Sequence, residues 1–176
     1  MKNIIAFAGS NSSVSINKKL VTYASGLLEE VKVDILDLNN FDLPLYGIDL
    51  EKEKGIHAEA KRFKSLIDES DGIMLSLAEH NGAYSTVFKN LFDWLSRIEK
   101  EVFSNKPMLL MAASPGPRGG ASVLQIAMDR FPRMGAKIVD SFSLPSFPEN
   151  FRDGEIVNKE LNNELKEKVQ TFKNTI

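Results

Sequence analysis

Three short polar stretches hold the residues best suited to bind a ligand. In the first, Gly9–Asn17, Ser10, Ser12, Ser13 and Ser15 precede Asn17, directly after the apolar run Ile4–Ala8. Hydroxyls and an amide supply several donors within one turn, and Gly9 permits close backbone approach. A helix beginning here would add free N–H groups and the positive end of its dipole, a combination that suits a phosphate. No basic residue lies within Gly9–Asn17, so dipoles and hydroxyls would do most of the binding. The same serines also read as helix caps and turn formers, and this stretch alone leaves both readings open.

The second stretch, Glu79-His80-Asn81-Gly82, contains a turn signal at Asn81-Gly82 and polar atoms that could face a planar ring. The third, Ser114–Gly120, holds Gly116, Gly119 and Gly120. Such a backbone can pass close to a flat ligand and aim N–H groups at its edge. No side-chain set for acid–base or nucleophilic catalysis is present. His57 sits in a charged stretch and His80 is the only histidine near these loops, so no Ser-His-Asp set forms and no catalytic side chain is assigned. With two histidines and no cysteine, a metal site is not expected.

Each polar stretch follows an apolar run and precedes a helical pattern. Ile4–Ala8, Gly72–Leu77 and Pro107–Ala113 are continuous apolar runs suited to strands buried on both faces. Val31–Leu36 alternates, and Lys137–Val139 reads as a short fifth strand. Helical stripes lie at Leu20–Leu28, Ala60–Ile67, Val87–Ile98, Leu124–Phe131 and Leu161–Phe172. Trp94 falls on an apolar stripe and reads as core. Leu43–Gly47 reads as a turn-rich connection, and Pro145–Asp153 as an irregular surface excursion or partner contact.

Alternating strands and helices imply an α/β fold with a parallel sheet between two helical layers. Five strands favour the flavodoxin-like three-layer sandwich with strand order 2-1-3-4-5. Ligands in such sheets bind beyond the carboxyl ends of the strands, where the order reverses, and all three polar stretches fall there. The 176 residues suggest one domain over 1–176. A net charge of -2 argues against a nucleic-acid surface. No apolar run reaches the ~20 residues of a membrane span, so a cytoplasmic location is expected.

Together these segments resemble the NAD(P)H-dependent FMN reductase family, which includes quinone, azo and chromate reductases. Gly9-Ser10 with Ser15 and Asn17 is similar to its G-S-x-R-x-x-S-x-N loop, and Leu43-Pro44-Leu45-Tyr46 to its L-P-x-Y/F segment. Glu79-His80-Asn81-Gly82 resembles its P-E-Y-N loop, and Lys89–Trp94 its K-N-A-I/L-D-W helix. Asn105-Lys106-Pro107 and Ser114–Gly120 resemble its K-P strand entry and S-x-G-x-x-G-G loop. The resemblance runs from about Ile4 to Val139 with the motifs in order.

It implies that Ser10, Ser12, Ser15 and Asn17 surround an FMN phosphate. Glu79, His80, Asn81, Gly82, Ser114, Gly116, Gly119 and Gly120 would line the flavin ring. NADPH or NADH would reduce the flavin, which would pass electrons to a small-molecule acceptor such as a quinone or free flavin. The flavin carries that chemistry, which agrees with the missing acid–base set. A homodimer or homotetramer is implied. Arg118 is a candidate for recognising a 2′-phosphate.

Three positions depart from the family pattern. Ser12 stands in place of Arg, and losing a charge-assisted bond of that kind costs roughly 1.5–3 kcal/mol. Lys18 or Lys19 is close enough in sequence to replace part of that charge. Ala78 replaces Pro, which should loosen its loop, and His80 replaces Tyr. These departures keep two other readings in view: a flavin-binding electron carrier without nicotinamide activity, and a degenerate interaction module without flavin.

Overall fold

The computed structural model describes residues 1–176. In chain order the elements are β1 (Asn3–Gly9), α1 (Ile16–Gly26), β2 (Lys32–Leu36), α2 (Ile48–Lys54), α3 (Ala58–Glu69), β3 (Gly72–Leu77), β4 (Glu79–His80) and β5 (Ala83–Tyr84). There follow α4 (Thr86–Ile98), β6 (Pro107–Ala113), α5 (Ala121–Arg130), β7 (Lys137–Leu144), α6 (Phe147–Asn150), β8 (Phe151–Arg152), β9 (Glu155–Ile156) and α7 (Lys159–Lys173). The main sheet is five-stranded and parallel, in order β2-β1-β3-β6-β7. This is the flavodoxin-like order expected from the sequence, and the order reverses between β1 and β3.

The two faces of the sheet explain the continuous apolar runs. Alternate side chains point to opposite faces, so Ile5 and Phe7 enter one core with Phe63, Phe88 and Leu91. Ile4 and Ala6 enter the other, with Leu20, Val21, Leu165 and Phe172. The central strands β1, β3 and β6 are therefore buried on both sides. The charged tail forms α7, with Leu165, Val169 and Phe172 buried as its spacing predicts.

Four details differ from the sequence expectation. The fifth strand, β7, runs eight residues to Leu144 rather than ending at Val139. Its outer half contains Asp140, Ser141 and Ser143, which stay half-buried on this edge strand. A register shift opposite Met108/Leu109 lets the pairing continue past Val139. Helix α2 has no apolar stripe to announce it and no buried residue. Asp49 and Glu51 in its first turn and Lys52 and Lys54 in its last match the helix dipole.

Pro145–Asp153 is not a loose excursion. It forms α6 and the first strand of the β8–β9 hairpin, with Phe147 and Phe151 buried and their rings 4.7 Å apart. Glu79–Gly82 closes as a two-residue hairpin between β4 and β5, pairing Glu79 with Tyr84 and His80 with Ala83. Ala78, at the position of the family's Pro, is buried at the entry to this hairpin.

Candidate functional site

The loops after β1, β3 and β6 meet at the carboxyl edge of the sheet and are bonded to one another's supports. Ser85 at the start of α4 donates Oγ–H to the Gly9 carbonyl, 2.6 Å. Asn17 donates Nδ2–H to the Ala113 carbonyl at 3.2 Å, while its Oδ1 accepts from Ala113 N–H at 2.8 Å and from Ser76 Oγ at 2.7 Å. The first loop is thus anchored to the ends of β3 and β6. Gly9 allows this closeness, since a Cβ there would lie 3.0 Å from Leu77 and 3.3 Å from Phe88.

Within the first loop the polar atoms divide into two groups. Ser10 Oγ accepts from Ser12 N–H, Ser12 Oγ from Val14 N–H, and Ser15 Oγ from Lys18 N–H. These are the turn and cap roles of serine, and Ser15 is the N-cap of α1. None of the hydroxyl protons of Ser10, Ser12, Ser13 or Ser15 is donated to a protein acceptor. The backbone N–H groups of Ser10, Asn11, Ser13, Ile16 and Asn17 likewise find no acceptor within the protein. The loop and the first turn of α1 therefore present a cluster of free donors at a helix N-terminus.

The Asn17 amide is not among them. It is buried, and both of its ends are committed to Ala113 and Ser76. Its backbone N–H, by contrast, has no acceptor within the protein. Lys18 is committed as well: it pairs with Asp37, and its hydrogen bond, followed by one from Asn39 N–H, holds the Asp37 carboxyl below its usual range. Neither change was visible in spacing, because both partners are distant in sequence.

In the hairpin, Asn81 and Gly82 take positive φ of 52° and 76°, the pairing that two-residue hairpin turns require. Glu79 turns its Oε2 away to accept from Val123 N–H at 2.9 Å, capping the first turn of α5. His80 and Asn81 are exposed and Gly82 half-exposed. Two residues on, the Tyr84 hydroxyl is buried with no hydrogen-bond partner. Burial pushes its pKa up to about 12 against a weaker opposing pull from Arg130, so it stays protonated and is no general base.

The third loop divides too. Gly119 and Gly120 have φ of +57° and +78° and are packed tightly. A Cβ at Gly119 would overlap Ser143 Oγ and lie 2.9 Å from Pro145 N, and one at Gly120 would lie 2.8 Å from Ala112 Cβ. Packing against the ends of β6 and β7 accounts for both glycines. Gly116 is different: nothing lies within 4 Å of where its Cβ would be. Ser114 Oγ donates to the Gly116 carbonyl, 3.1 Å, and the N–H groups of Gly116 and Arg118 have no protein acceptor. Arg118 itself reaches Ser122 on the exposed side.

One supporting device joins two of the quoted segments, Leu43–Tyr46 and Lys89–Trp94. Asn90 accepts from Tyr46 N–H at 2.8 Å and donates to the Pro44 carbonyl at 3.1 Å, which also receives Trp94 Nε1–H at 2.8 Å. Leu43–Tyr46 is thereby pinned to α4. Between this segment and the first loop lies a cavity of about 190 Å³ touched by Asn11, Asn39, Asp42 and Asn90. A larger cavity, about 730 Å³, lies elsewhere, along α1 and the β8–β9 hairpin, and shares only Ser13, Val14 and Ser15 with the first loop.

Residues 2–149 match the family described as NADPH-dependent FMN reductase. A quinone reductase of Escherichia coli is 35% identical over 80 residues, covering 46% of this chain and 43% of that protein. An NAD(P)H-dependent FMN reductase of Pseudomonas aeruginosa is 30% identical over 119 residues, covering 67% of this chain and 63% of that one. The matched region thus spans less than two thirds of either relative. Among solved structures, FerB of Paracoccus denitrificans, a flavoenzyme NAD(P)H:(acceptor) oxidoreductase, superposes with a TM-score of 0.80 at 24% identity, covering 99% of this chain and 96% of that one. With the loops, their order and their placement in agreement, the chain belongs to the NADPH-dependent FMN reductase family.

Proposed function

We propose that this chain binds FMN and passes electrons from a nicotinamide nucleotide through it to a small-molecule acceptor of the quinone or free-flavin class. The observation that carries this reading is the cluster of free donors in the first loop: five backbone N–H groups and the hydroxyl protons of Ser10, Ser12, Ser13 and Ser15. Such a set at a helix N-terminus fits a phosphate without a basic side chain. The third loop fits the edge of a flat ring, with open space at Gly116 and N–H groups at Gly116 and Arg118 that no protein atom uses.

The chain's own residues bind and orient. In this reading Ser10, Ser12, Ser15 and the Asn17 N–H hold the phosphate. Asn81 and Gly82 form one border of the ring, and Ser114 and Gly116 the other. Glu79, Gly119 and Gly120 act behind that surface by fixing α5 and the strand ends, and His80 stands exposed at the hairpin. FMN, when bound, supplies the electron transfer. The Tyr84 phenol, buried and protonated, takes no proton from a reactant, and no acid–base pair is required. No helix is long and apolar enough to cross a membrane, and a cytoplasmic enzyme acting as a homodimer or homotetramer belongs to the same proposal. Exposed Ile126 and Met128 on α5 offer apolar surface for such assembly.

The test is an anaerobic titration. Purified protein is loaded with FMN, then NADPH or NADH is added while flavin absorbance is followed. Bleaching by either nucleotide, and recovery on adding a benzoquinone, is expected. FMN that binds but is bleached by neither nucleotide would leave an electron carrier and sink the reductase reading. Failure to bind FMN at all would sink the whole proposal.

A further inference from the structure

The 730 Å³ groove along α1 is lined by neither flavin-ring loop and meets the phosphate loop only at one end, Ser13–Ser15. Its volume falls within the roughly 300–1,000 Å³ of small-molecule sites. One wall is the outer face of α1; the other is Phe147 of α6 and the β8–β9 hairpin. Both walls are held in place by the fold. The Tyr23 hydroxyl donates to Asn162 Oδ1 at 2.7 Å, and its ring lies edge-on to Phe151 at 5.9 Å. Phe151 stacks in turn on Phe147, and Asn150 Nδ2–H donates to the Pro145 carbonyl at 2.9 Å, bracing α6 between them. At the far end of α1 the groove is open: a Cβ on Gly26 would find no atom within 4 Å.

The lining joins apolar surface to positive charge. Exposed Val14 and half-buried Tyr23 and Leu27 extend the apolar surface from the edge of the Phe147–Phe151 stack. Lys19 on α1 and Arg152 on the hairpin form no ion pair in the protein. Lys18 is taken by Asp37, and Asp153 is the single acid on the lining. The groove is therefore left with net positive charge beside its rings. An aryl monocarboxylate matches both features, because its ring covers apolar surface while its carboxylate accepts from guanidinium and ammonium groups. A neutral aromatic would leave the two cations unused, and a small inorganic anion would leave the rings uncovered.

We propose that this groove is a second ligand site, which takes a small aromatic carboxylate and opposes FMN binding when filled. The ring lies against the Phe147–Phe151 edge and the carboxylate meets Lys19 and Arg152. The site itself stands without the flavin reading; its coupling rests on the phosphate placement above. Ser13–Ser15 belong to both the groove and the phosphate loop, so a carboxylate in the groove adds negative charge beside the phosphate. Each ligand then weakens the other by the same factor.

Calorimetry on the full chain with 2-naphthoate, and with neutral 2-naphthamide beside it, tests this without any turnover. We expect naphthoate to bind about tenfold more tightly than the amide, as charge-assisted bonds to the carboxylate imply. The Lys19→Ala/Arg152→Ala double variant should erase that difference. Gly26→Leu, a better helix former that fills the open end, should weaken both compounds about tenfold or more while leaving the affinity for FMN unchanged. Saturating naphthoate should weaken FMN about fivefold and then level off. Equal binding of naphthoate and the amide, or undiminished binding to Gly26→Leu, overturns the site. FMN affinity that falls with naphthoate without levelling off places the probe in the flavin site and overturns it too. A change in oligomer mass on Gly26→Leu gives the groove to a second copy of the chain and also overturns the proposal. Selective, Gly26-dependent naphthoate binding by a chain that never binds FMN upholds the site and sinks the flavin reading. Normal FMN loading and bleaching without naphthoate binding sinks the groove site alone.

Discussion

At the scale of single residues, the site separates side chains that hold the protein from those left for a ligand. Asn17 belongs to the first group. Asn17→Ala would strand Ser76 Oγ and both polar atoms of Ala113 in buried surroundings. Each unsatisfied group costs about 1–3 kcal/mol, so a large fall in the urea midpoint is expected. The glycines of the third loop offer a sharper contrast. Gly119→Ala collides with Ser143 and the Pro145 backbone at positive φ and should destabilise the fold by more than about 1 kcal/mol. Gly116→Ala meets nothing and should leave stability within about 0.5 kcal/mol while weakening FMN binding; thermal melts and flavin titrations read the two effects separately. Ser12→Arg restores the family's charge beside the free donors and should tighten FMN about tenfold. Tyr84→Phe deletes a buried hydroxyl that bonds nothing, so it should raise stability slightly, or at worst leave it unchanged.

At the scale of elements, the ion pair between α1 and the turn after β2 makes a pH prediction. The Lys18 hydrogen bond keeps the folded Asp37 carboxyl below its ordinary 3.8, helped by Asn39 N–H. A carboxyl depressed in the folded state binds its proton more readily when unfolded, so its stabilisation is present above pH 3.8 and is lost as pH falls through the lower folded value. Urea unfolding of Asp37→Asn beside the native chain should show a stability gap at neutral pH that closes below that point. A gap that persists in strong acid would place the effect in turn geometry instead. The same scale shows what was legible in advance. β1, β3 and β6 could be read from their apolar runs because both faces of those strands are buried, which leaves no alternation to misread. β7 could be read only for its first three residues, since an edge strand tolerates Asp140, Ser141 and Ser143. α2 buries nothing, so no stripe marked it. The Asn90–Pro44–Trp94 tie joins two segments whose motifs were visible but whose contact was not, because hydrogen bonds across the fold leave no periodic trace.

At the scale of the whole molecule, strand order was legible because alternation of strands and helices leaves few topologies, and the position of the ligand loops follows from that order. The division of labour within those loops was not. Ser10, Ser12 and Ser15 act at once as internal acceptors and as unused donors, and only the folded loop separates the two functions of one hydroxyl. The groove along α1 was invisible for a related reason: Lys19 and Arg152, far apart in sequence, line it together only because Pro145–Asp153 folds back beside α1. The tie from Asn17 to β3 and β6 has a last consequence. A loop bolted to the strands it serves has its shape before any cofactor arrives, so loading becomes a docking event with little ordering left to do. Amide exchange across residues 9–17 should then slow only at the N–H groups that meet the phosphate, and the emptied protein should take up fresh flavin at the pace of diffusion and desolvation rather than of refolding.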